Sequence, residues 1–430
     1  MNTRRPERQT PTERSRGWSG SAYLRCMSCG SESEWQQMFV GCFACGAGAV
    51  GEPIEVAYAD VLPRLESGSE ALSFLSSARQ PIAADCRVDL GRPTSTPLVP
   101  LPAFGENLFA KNETLNPTWG HKDRFHEVAV GAALLLGCRG VVAASTGNHG
   151  ASAAAHASAA GLPSVIFCHR DASPSALRMI TAYGGQPVHL PDEDVHTAVS
   201  ELVDAGWFPA TTMDSLVSGR SNPFGAEGYK MAAYEIVAQL GGCPGTVIVP
   251  TAGGDTYYGI AKGFAEASEL LGQAPVRVVA AQPAGADPLV RSVDAGRLVR
   301  VAEPRSIALS VAMALTGRQA LRAVTRWGGA TIAVTEEEIC LAVVDLAHRG
   351  LLVEPASAVA LAAYRALRAA EDLVDDRPTV LILTGAGVKW LGALTAIFPG
   401  EPLIGVTELQ EHLTRIDPRP AARSTSVSAR

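Results

Sequence analysis

Short runs of consecutive apolar residues recur along the chain from about residue 85 onward. Helical stretches follow several of these runs, at His149–Ala160 and at about Ser175–Tyr183. Continuous apolar strands that alternate with helices are typical of parallel sheets covered on both faces, so the pattern predicts an α/β fold. The predicted strands are Gly140–Ser145, Ser164–Cys168, Gln186–Leu190, Thr246–Val249, Arg277–Ala281 and Thr379–Leu383.

Three of the predicted strands lead into loops rich in Gly, Ser and Thr. These loops are Ser145–Asn148, Thr251–Thr256 and Thr384–Gly387. Ligands bind beyond the carboxyl ends of the strands in open parallel sheets, so the loops predict a site for a small anionic ligand or cofactor. None of the three loops carries a GxGxxG or GxxxxGK(S/T) pattern, which argues against a dinucleotide site or a P-loop.

Composition and charge narrow the classes of function. The chain has 36 Lys and Arg residues against 43 Asp and Glu residues, a formal net charge of −7. This acidic balance argues against a nucleic-acid partner. The apolar run Val128–Cys138 reaches about half of the roughly 20 residues that a membrane span needs, so no membrane partner is expected. Residues 1–20 lack the apolar stretch of a secretory signal, and we expect a cytoplasmic protein.

Four of the nine cysteines form two C-x2-C pairs separated by twelve residues. They are Cys26, Cys29, Cys42 and Cys45. Two such pairs place four thiolates around one tetrahedral Zn²⁺ and leave no open position, so we interpret them as a structural zinc site. A disulfide pair and a relic ribbon without metal are the alternatives, although a disulfide is disfavoured in a chain without an export signal.

Lys122 is one of only five lysines in the chain. It follows an Asn-Pro-Thr turn and falls near the beginning of a predicted helix. A lysine at the positive end of a helix, beside apolar sequence, is expected to have a lowered pKa and to bond covalently to a carbonyl carbon. On this segment alone, a solvent-exposed lysine that opens a helix is the simpler interpretation.

Five motifs, in chain order, resemble those of threonine synthases and related fold-type II pyridoxal-phosphate enzymes. KNETLNPTWGHKDR (111–124) resembles K-x-E-x-x-N-P-T-x-S-F-K-D-R, and STGNHGASAAAHASAAGLP from Ser145 resembles the family's substrate and cofactor loop. The other three are NPFGAEGYK (222–230), LLVEPASAVALAAY (351–364) and LTGAGVKW (383–390). The cysteine-rich start is similar to the zinc-ribbon-like head of many threonine synthases. By these motifs the chain is identified as a member of the superfamily.

The resemblance implies two three-layer parallel-sheet domains with the active site between them, plus a small N-terminal zinc-ribbon-like head. We assign 21–58 to the head, 85–129 and 216–414 to a large cofactor-binding domain, and 130–215 to a small substrate-loop domain. Residues 1–20 and 415–430 are polar and without periodicity, and we predict flexible tails there. A homodimer is one expectation, although the sequence does not determine the oligomeric state.

The resemblance also implies roles for matching positions. Lys122 would bind the aldehyde of pyridoxal 5′-phosphate as an aldimine and then remove the α-proton of an amino-acid substrate. Asn148 would lie beside the 3′ oxygen of the cofactor ring, and Thr384 would hydrogen-bond the ring nitrogen. The cofactor phosphate would be bound by Gly253, Gly254 and Thr256. The substrate carboxylate would be bound at a helix N-terminus by Ser145, Thr146 and Gly147, with His121 as a further candidate.

Simpler interpretations of two of these motifs are that Ser145 and Thr146 only cap the following helix, and that Thr384 only ends its strand. Lys262, on a predicted helix, is expected at the surface. His126 and His156 are expected to be packed or exposed rather than catalytic. The candidates for binding a substrate phosphate are, by chemistry, Lys230, Arg178 and His121.

Three positions depart from the family pattern. His121 replaces Phe before the lysine, and we interpret it either as an extra acid–base or anion-binding group or as a ring packed behind the cofactor. Asp255 lies in the phosphate loop, where it would repel phosphate unless it points away or holds loop amides. Trp390 replaces the Asp that follows Gly-x-Lys. These changes predict that the cofactor machinery is retained while the substrate pocket is altered.

The expected function is that of a threonine synthase, in which O-phosphohomoserine and water give threonine and phosphate by γ-elimination and β-addition. The main alternative is β-elimination or β-replacement on serine, threonine or an activated serine, in a specialised pathway. A non-catalytic relative that senses an amino acid is disfavoured because Lys122, Asn148 and Thr384 are retained. A zinc-dependent nucleic-acid module is disfavoured by the acidic balance.

Overall fold

In a computed structural model, the described residues are 22–35, 38, 41–45, 52–58, 69–70, 88, 90–91, 95–145, 147–169, 172, 174–211, 222–373, 377–398 and 400. The strands are β1 (Ala22–Cys26), β2 (Ile54–Tyr58), β3 (Leu98–Pro100), β4 (Leu108–Asn112), β5 (Val141–Ala144), β6 (Ser164–Cys168), β7 (Gln186–His189), β8 (Phe208–Pro209), β9 (Thr246–Pro250), β10 (Arg277–Pro283), β11 (Ala330–Val334) and β12 (Thr379–Leu383).

The helices are α1 (Lys122–Leu135), α2 (Asn148–Ala159), α3 (Pro174–Ala182), α4 (Asp192–Asp204), α5 (Pro223–Leu240), α6 (Asp255–Leu271), α7 (Pro288–Ala295), α8 (Arg318–Trp327), α9 (Glu336–Ala347), α10 (Pro355–Ala369) and α11 (Leu391–Leu394). Short 3₁₀ helices lie at Glu113–Leu115, Leu309–Val311 and Gly387–Trp390. None of the helices described here is both long and apolar enough to cross a membrane. The two predicted tails and Thr146 lie outside the described residues.

The larger sheet has six strands in the order β11-β10-β9-β12-β4-β3. All neighbours run parallel except β3, which pairs antiparallel with β4 at one edge. Successive residues of β9 enter two different apolar cores. Val247 and Val249 pack with α1, α5 and α6, whereas Ile248 packs with α9 and α10. Helices therefore cover both faces, which explains why these strands are continuous apolar runs.

The smaller sheet has four parallel strands in the order β7-β6-β5-β8. Ala143 and Ile166 pack with α2 and α3 on one face, and Val142 and Phe167 pack with α4 on the other. The predicted α/β fold with two parallel-sheet units is thus confirmed. All the strands of this sheet fall between residues 141 and 209, inside the range that we assign to a small domain.

The N-terminal head contains the antiparallel pair β1 and β2, in which Ala22 lies opposite Tyr58. Its docking contacts include a buried lysine of α6. Lys262 donates from Nζ to the carbonyl of Val56 at 2.7 Å and forms an ion pair with Glu227. The expectation that Lys262 lies at the surface is therefore wrong, because the head covers it.

A second buried ionic cluster surrounds Arg124, two residues after the start of α1. Arg124 pairs through Nε with Glu113 at 2.6 Å and through Nη2 with Glu235 at 2.7 Å, and Lys111 pairs with Glu235 at 2.7 Å. All four side chains are buried. Burial alone raises the pKa of Glu113, but the Arg124 charge outweighs it and holds that pKa far below its usual range.

Replacing Arg124 with Met should destabilise the protein by about 3–5 kcal/mol, because two buried carboxylates would then share one lysine. Urea denaturation measures the loss as a lower free energy of unfolding. Arg365→Gln is the matched control, since its pair with Asp345 at 2.6 Å is 38 % and 42 % exposed. That control should cost at most about 1 kcal/mol. Equal losses in both variants would contradict a structural role for the cluster.

Candidate active site

A cleft of about 310 Å³ lies between the two sheets, beyond the carboxyl ends of β5, β6, β9 and β12. The three loops that the sequence singled out all contribute to it. Ser145, Gly147 and Asn148 line it from the smaller sheet, and Thr251–Thr256 and Thr384 line it from the larger sheet. The cleft therefore lies where the sequence predicts it, beyond the carboxyl ends of the parallel strands.

Lys122 is the first residue of α1 and lines this cleft. Burial lowers the pKa of its amine, and the charges of Asp255 and Glu354 partly oppose that shift by raising it. Its Nζ lies 5.7 Å from the centre of the Tyr229 ring. The surface-lysine interpretation of Lys122 is therefore wrong, because the residue is partly buried and lines the cleft between the sheets.

His121 packs behind Lys122 with both ring nitrogens bonded. Nδ1 is 3.0 Å from the carbonyl of Thr384, which can only accept, so Nδ1 donates and Nε2 accepts from the Thr256 hydroxyl at 3.1 Å. The ring stacks on Tyr229 with centroids 5.5 Å apart. Burial and the Lys122 charge hold the pKa of His121 well below its usual value. This neutral, doubly bonded ring fits the packed interpretation better than the acid–base one.

Asn148 begins α2 and donates from Nδ2 to Glu354 Oε2 at 2.9 Å. Ser310 donates to the same oxygen at 3.1 Å, while Glu354 Oε1 is buried without a hydrogen-bond partner. Burial raises the pKa of Glu354. Our sequence reasoning used Glu354 only as part of a motif. An acidic residue directly before a Pro-initiated helix was the signal that could have drawn attention to it.

Gly253, Gly254 and Thr256, the residues that the sequence predicts to bind the cofactor phosphate, lie at the start of α6. Gly254 has φ 102°, and a Cβ there would overlap the Cβ of Ala320 on α8. The backbone therefore needs glycine both for its left-handed conformation and for its close packing on α8. A turn of this kind at a helix N-terminus presents backbone N–H groups to an anion.

Asp255 Oδ1 accepts a hydrogen bond from Gln319 Nε2 of α8 at 2.8 Å. The carboxylate is thus hydrogen-bonded to a neighbouring helix, although Asp255 also lines the cleft. Its charge nevertheless reaches Lys122, whose pKa it raises. Asp255 therefore belongs to the electrostatic surroundings of the amine.

Ser145 and Thr384 both make structural hydrogen bonds. Ser145 Oγ accepts from the N–H groups of Gly147 at 3.2 Å and Gly150 at 2.8 Å, so it caps the start of α2. Thr384 Oγ1 lies 2.9 Å from Ser357 Oγ, which also accepts from the N–H of Gly385 at 2.8 Å. These bonds fix both residues where they line the cleft.

Two of the candidates for binding a substrate phosphate lie outside the cleft. Lys230 is buried against the head, where it pairs with Glu266 at 2.9 Å, and Arg178 is exposed on α3. Neither lines the cleft, in contrast to His121. Among the described lining residues, Lys122 is the only lysine or arginine. The indole of Trp390 also lines the cleft, with its Nε1 buried and unbonded.

Two parallel-sheet units with a partly buried lysine in the cleft between them define a fold-type II pyridoxal-phosphate enzyme. Residues 91–385 match the family described as "Pyridoxal-phosphate dependent enzyme". This chain belongs to that family.

Curated relatives of the chain are threonine synthases. The one from Synechocystis sp. is 32 % identical over 308 residues, which cover 69 % of this chain and 77 % of the relative. The one from Mycobacterium leprae is 34 % identical over 68 % of this chain and 81 % of its own length. A third, from Methanosarcina acetivorans, is 27 % identical but extends over 85 % of this chain and 92 % of its own.

Solved structures with the same fold include enzymes that are not named threonine synthase. A threonine deaminase from T.th. superposes with a TM-score of 0.58 at 26 % identity, over 68 % of this chain and 92 % of that one. Maize serine racemase superposes with a TM-score of 0.59 at 21 % identity, over 75 % of this chain and 92 % of the racemase chain. The racemase likeness shows the fold alone.

Replacing Asp255 with Asn should make the Lys122 amine reactive at lower pH. The carboxylate raises the pKa of Lys122, so its loss lowers that pKa further and leaves more neutral amine at a given pH. Asn retains an acceptor for Gln319. The measurement is the pH profile of Lys122 labelling by pyridoxal and borohydride after cofactor removal, since pyridoxal has no phosphate to engage the loop. Asp372→Asn, on an exposed residue, is the control. A midpoint that is unchanged or raised in Asp255→Asn would contradict this electrostatic coupling.

Proposed function

We propose that the protein is a threonine synthase-like carbon–oxygen lyase that converts O-phosphohomoserine and water into threonine and phosphate. The observation that carries the proposal is the placement of Lys122 at a helix start, partly buried and lining the cleft, with a lowered pKa. The threonine synthase relatives support the particular substrate.

The residues around the cleft fit pyridoxal phosphate. Glu354 Oε1 and Trp390 Nε1 are buried lining atoms without partners, as expected where a polar group belongs. Lys122 would bind the aldehyde carbon of the cofactor, and Asn148 would lie beside the 3′ oxygen of its ring. Thr384 would contact the ring nitrogen. The phosphate would be held by Gly253, Gly254 and Thr256. When bound, the cofactor supplies an electron sink for the charge that develops at the substrate α-carbon.

The charges around Lys122 suit an amine that must both give up and take a proton. Burial keeps more of the amine neutral near neutral pH, so it can accept the substrate α-proton. Asp255 and Glu354 then stabilise the ammonium that results. The substrate carboxylate would bind at the start of α2, where the positive end of the helix favours an anion and the hydroxyls of Ser145 and, by sequence, Thr146 could donate to it. The N–H of Ser145 donates to the carbonyl of Phe167 at 2.8 Å and that of Gly147 to Ser145 Oγ at 3.2 Å, so Gly147 would contribute close backbone approach.

Thr384 would favour elimination and replacement over transamination. A hydroxyl does not hold a ring nitrogen protonated as a carboxylate does, so the electron sink is milder. Thr384 Oγ1 is hydrogen-bonded to Ser357 Oγ, which fixes its position at the end of β12. A hydroxyl as the partner of the ring nitrogen supports the lyase class as a whole and does not select among the reactions of that class.

A second candidate function is β-elimination or β-replacement on serine, threonine or an activated serine. It is favoured by the scarcity of cations in the cleft, since Lys122 is the only lysine or arginine among the described residues that line it. A substrate phosphate needs charged or hydroxyl donors. The two reactions differ in their products, which makes them separable by one assay.

Replacing Lys122 with Ala or Arg should reduce turnover by at least about 10³-fold, because either change removes the amine that binds the cofactor and moves the proton. Arg is the matched variant that keeps the positive charge. The assay measures phosphate and threonine formed from O-phosphohomoserine, and 2-oxo acid formed from serine or threonine.

Borohydride reduction followed by peptide mapping should place the pyridoxyl group on Lys122. Threonine formation with this adduct supports the first proposal, and 2-oxo acid formation alone supports the second. An adduct on another lysine would overturn both.

We further propose that Cys26, Cys29, Cys42 and Cys45 hold a structural Zn²⁺. Their Sγ atoms lie within 4.8 Å of one another, with Cys26 and Cys45 3.6 Å apart and Cys29 and Cys42 3.7 Å apart. A tetrahedron with Zn–S bonds of about 2.3 Å has S–S edges of about 3.8 Å, so the spacing fits zinc. A disulfide would bring two sulfurs to about 2.05 Å, and all four cysteines are free.

Replacing Cys45 with Ser should remove the zinc and lower the thermal midpoint, because the site would lose one of its four thiolates. Elemental analysis should find about one zinc per wild-type chain and far less in the variant. Cys340→Ser on α9, a cysteine outside the cluster, is the control and should retain the metal. Wild-type protein without zinc, purified from zinc-containing medium, would refute the site.

A further inference from the structure

A second cavity, of about 630 Å³, lies between the head and helix α8. It shares no lining residue with the active-site cleft. We call it the arginine cleft, because Arg297, Arg318, Arg322 and Arg326 line it. Met27, Leu298 and Leu321 supply apolar parts of its wall.

Carboxylates balance these arginines only in part. Glu52 on the head is shared by Arg318 at 3.5 Å and Arg322 at 2.5 Å. Glu55 is shared by Arg326 at 3.5 Å and by Arg25 at 2.9 Å. Among the described residues, two carboxylates thus pair with three of the four cleft arginines and also with Arg25, in a chain whose overall charge is negative. The cleft is therefore a local region of positive charge.

Arg297 adds a further positive charge without an ion pair among the described residues. Its guanidinium donates to the carbonyl of Leu298 at 3.5 Å, a weak contact, and its side chain is exposed. The head-docking contacts do not include it. Docking of the head therefore does not explain why an arginine is present at position 297.

The arrangement of the arginines suits an anion that spans more than one of them. Arg318, Arg322 and Arg326 are four residues apart on α8, so they lie on one face about 6 Å apart along the helix axis. Arg318, Arg322 and Arg326 remain 33 %, 38 % and 47 % exposed at their side chains, so a ligand can reach them. Guanidinium groups bind phosphate oxygens in pairs of parallel hydrogen bonds.

We propose that the arginine cleft is an effector site for a small phosphorylated metabolite. Its phosphate would be bound by Arg297 and by the α8 arginines, and the apolar wall would contact the rest of the molecule. This inference does not depend on which reaction the active site performs.

Helix α8 connects this cleft to the phosphate loop of the active site. The N–H of Gly317, directly before α8, donates to the carbonyl of Gly253 at 2.7 Å. Gln319 donates to Asp255, and Ala320 packs against Gly254. These contacts come from the same helical turn as Arg318. An anion bound between Arg297, which follows α7, and the arginines of α8 would tie α8 to that segment. It would therefore hold the phosphate loop in place and slow release of the cofactor.

Calorimetric titration of the cofactor-loaded, desalted protein with inorganic pyrophosphate tests the site. We expect saturable binding in the wild type and about tenfold weaker binding in Arg297→Glu, the loss that one charge-assisted phosphate contact produces. Arg349→Glu, an exposed arginine after α9 and outside the cleft, is the matched control and should bind as the wild type does. Arg297→Gln serves as a second variant if Arg297→Glu lowers the thermal midpoint without ligand.

Two outcomes would overturn the proposal. The first is the absence of saturable binding, which would leave head docking as the role of the arginines. The second is equal binding in the wild type and Arg297→Glu, which would place the anion at the cofactor loop or elsewhere. Coupling is tested separately, by the rate of cofactor release to a carbonyl scavenger. Pyrophosphate should slow release in the wild type but not in Arg297→Glu, and equal rates with and without it would refute the coupling.

Discussion

The position of Lys122 depends on the two residues that follow it, because they anchor the start of α1 on opposite sides. Asp123 accepts hydrogen bonds from the N–H and hydroxyl of Thr118, at 2.7 and 2.5 Å, and from the hydroxyl of Ser152 at 2.6 Å. Arg124 is bound on the other side by two buried carboxylates. The helix cannot rotate or slide without breaking charged contacts in a dry interior, where such breaks are costly.

This helix start also lies where the two sheets meet. Ser152 belongs to α2 of the smaller sheet, so its bond to Asp123 joins the two units. Asn148, at the beginning of the same helix, makes a second link to Glu354 of the larger sheet. Any shift of the smaller sheet would therefore alter the surroundings of Glu354, one of the charges that raise the pKa of Lys122. The protonation of the amine is thus tied to the arrangement of the two units.

Local patterns in the sequence were enough to predict six of the twelve described strands and the edge that carries the cleft, but not β1–β4, β8 and β11. Strands β6 and β12 have the predicted bounds, since a short continuous apolar run is a local signal. Buried charge was not predictable in this way. Lys262 lies under the head because Glu227 and the Val56 carbonyl meet it from distant parts of the chain. The contacts of Glu354 likewise depend on residues far away in sequence, so the motif containing it did not reveal its role.

The head is held by apolar and ionic contacts together. Its two strands have five residues each, and an isolated pair of this size is marginally stable in water. Ile54 and Val56 therefore enter the core shared with α5 and α6, while Glu55 accepts a hydrogen bond from Tyr258 of α6 at 2.8 Å. Glu52 pairs with arginines of α8. Helix α6 begins directly after Gly253 and Gly254, and α8 packs against Gly254, so the stability of the head bears on the loop that we propose to hold the cofactor phosphate.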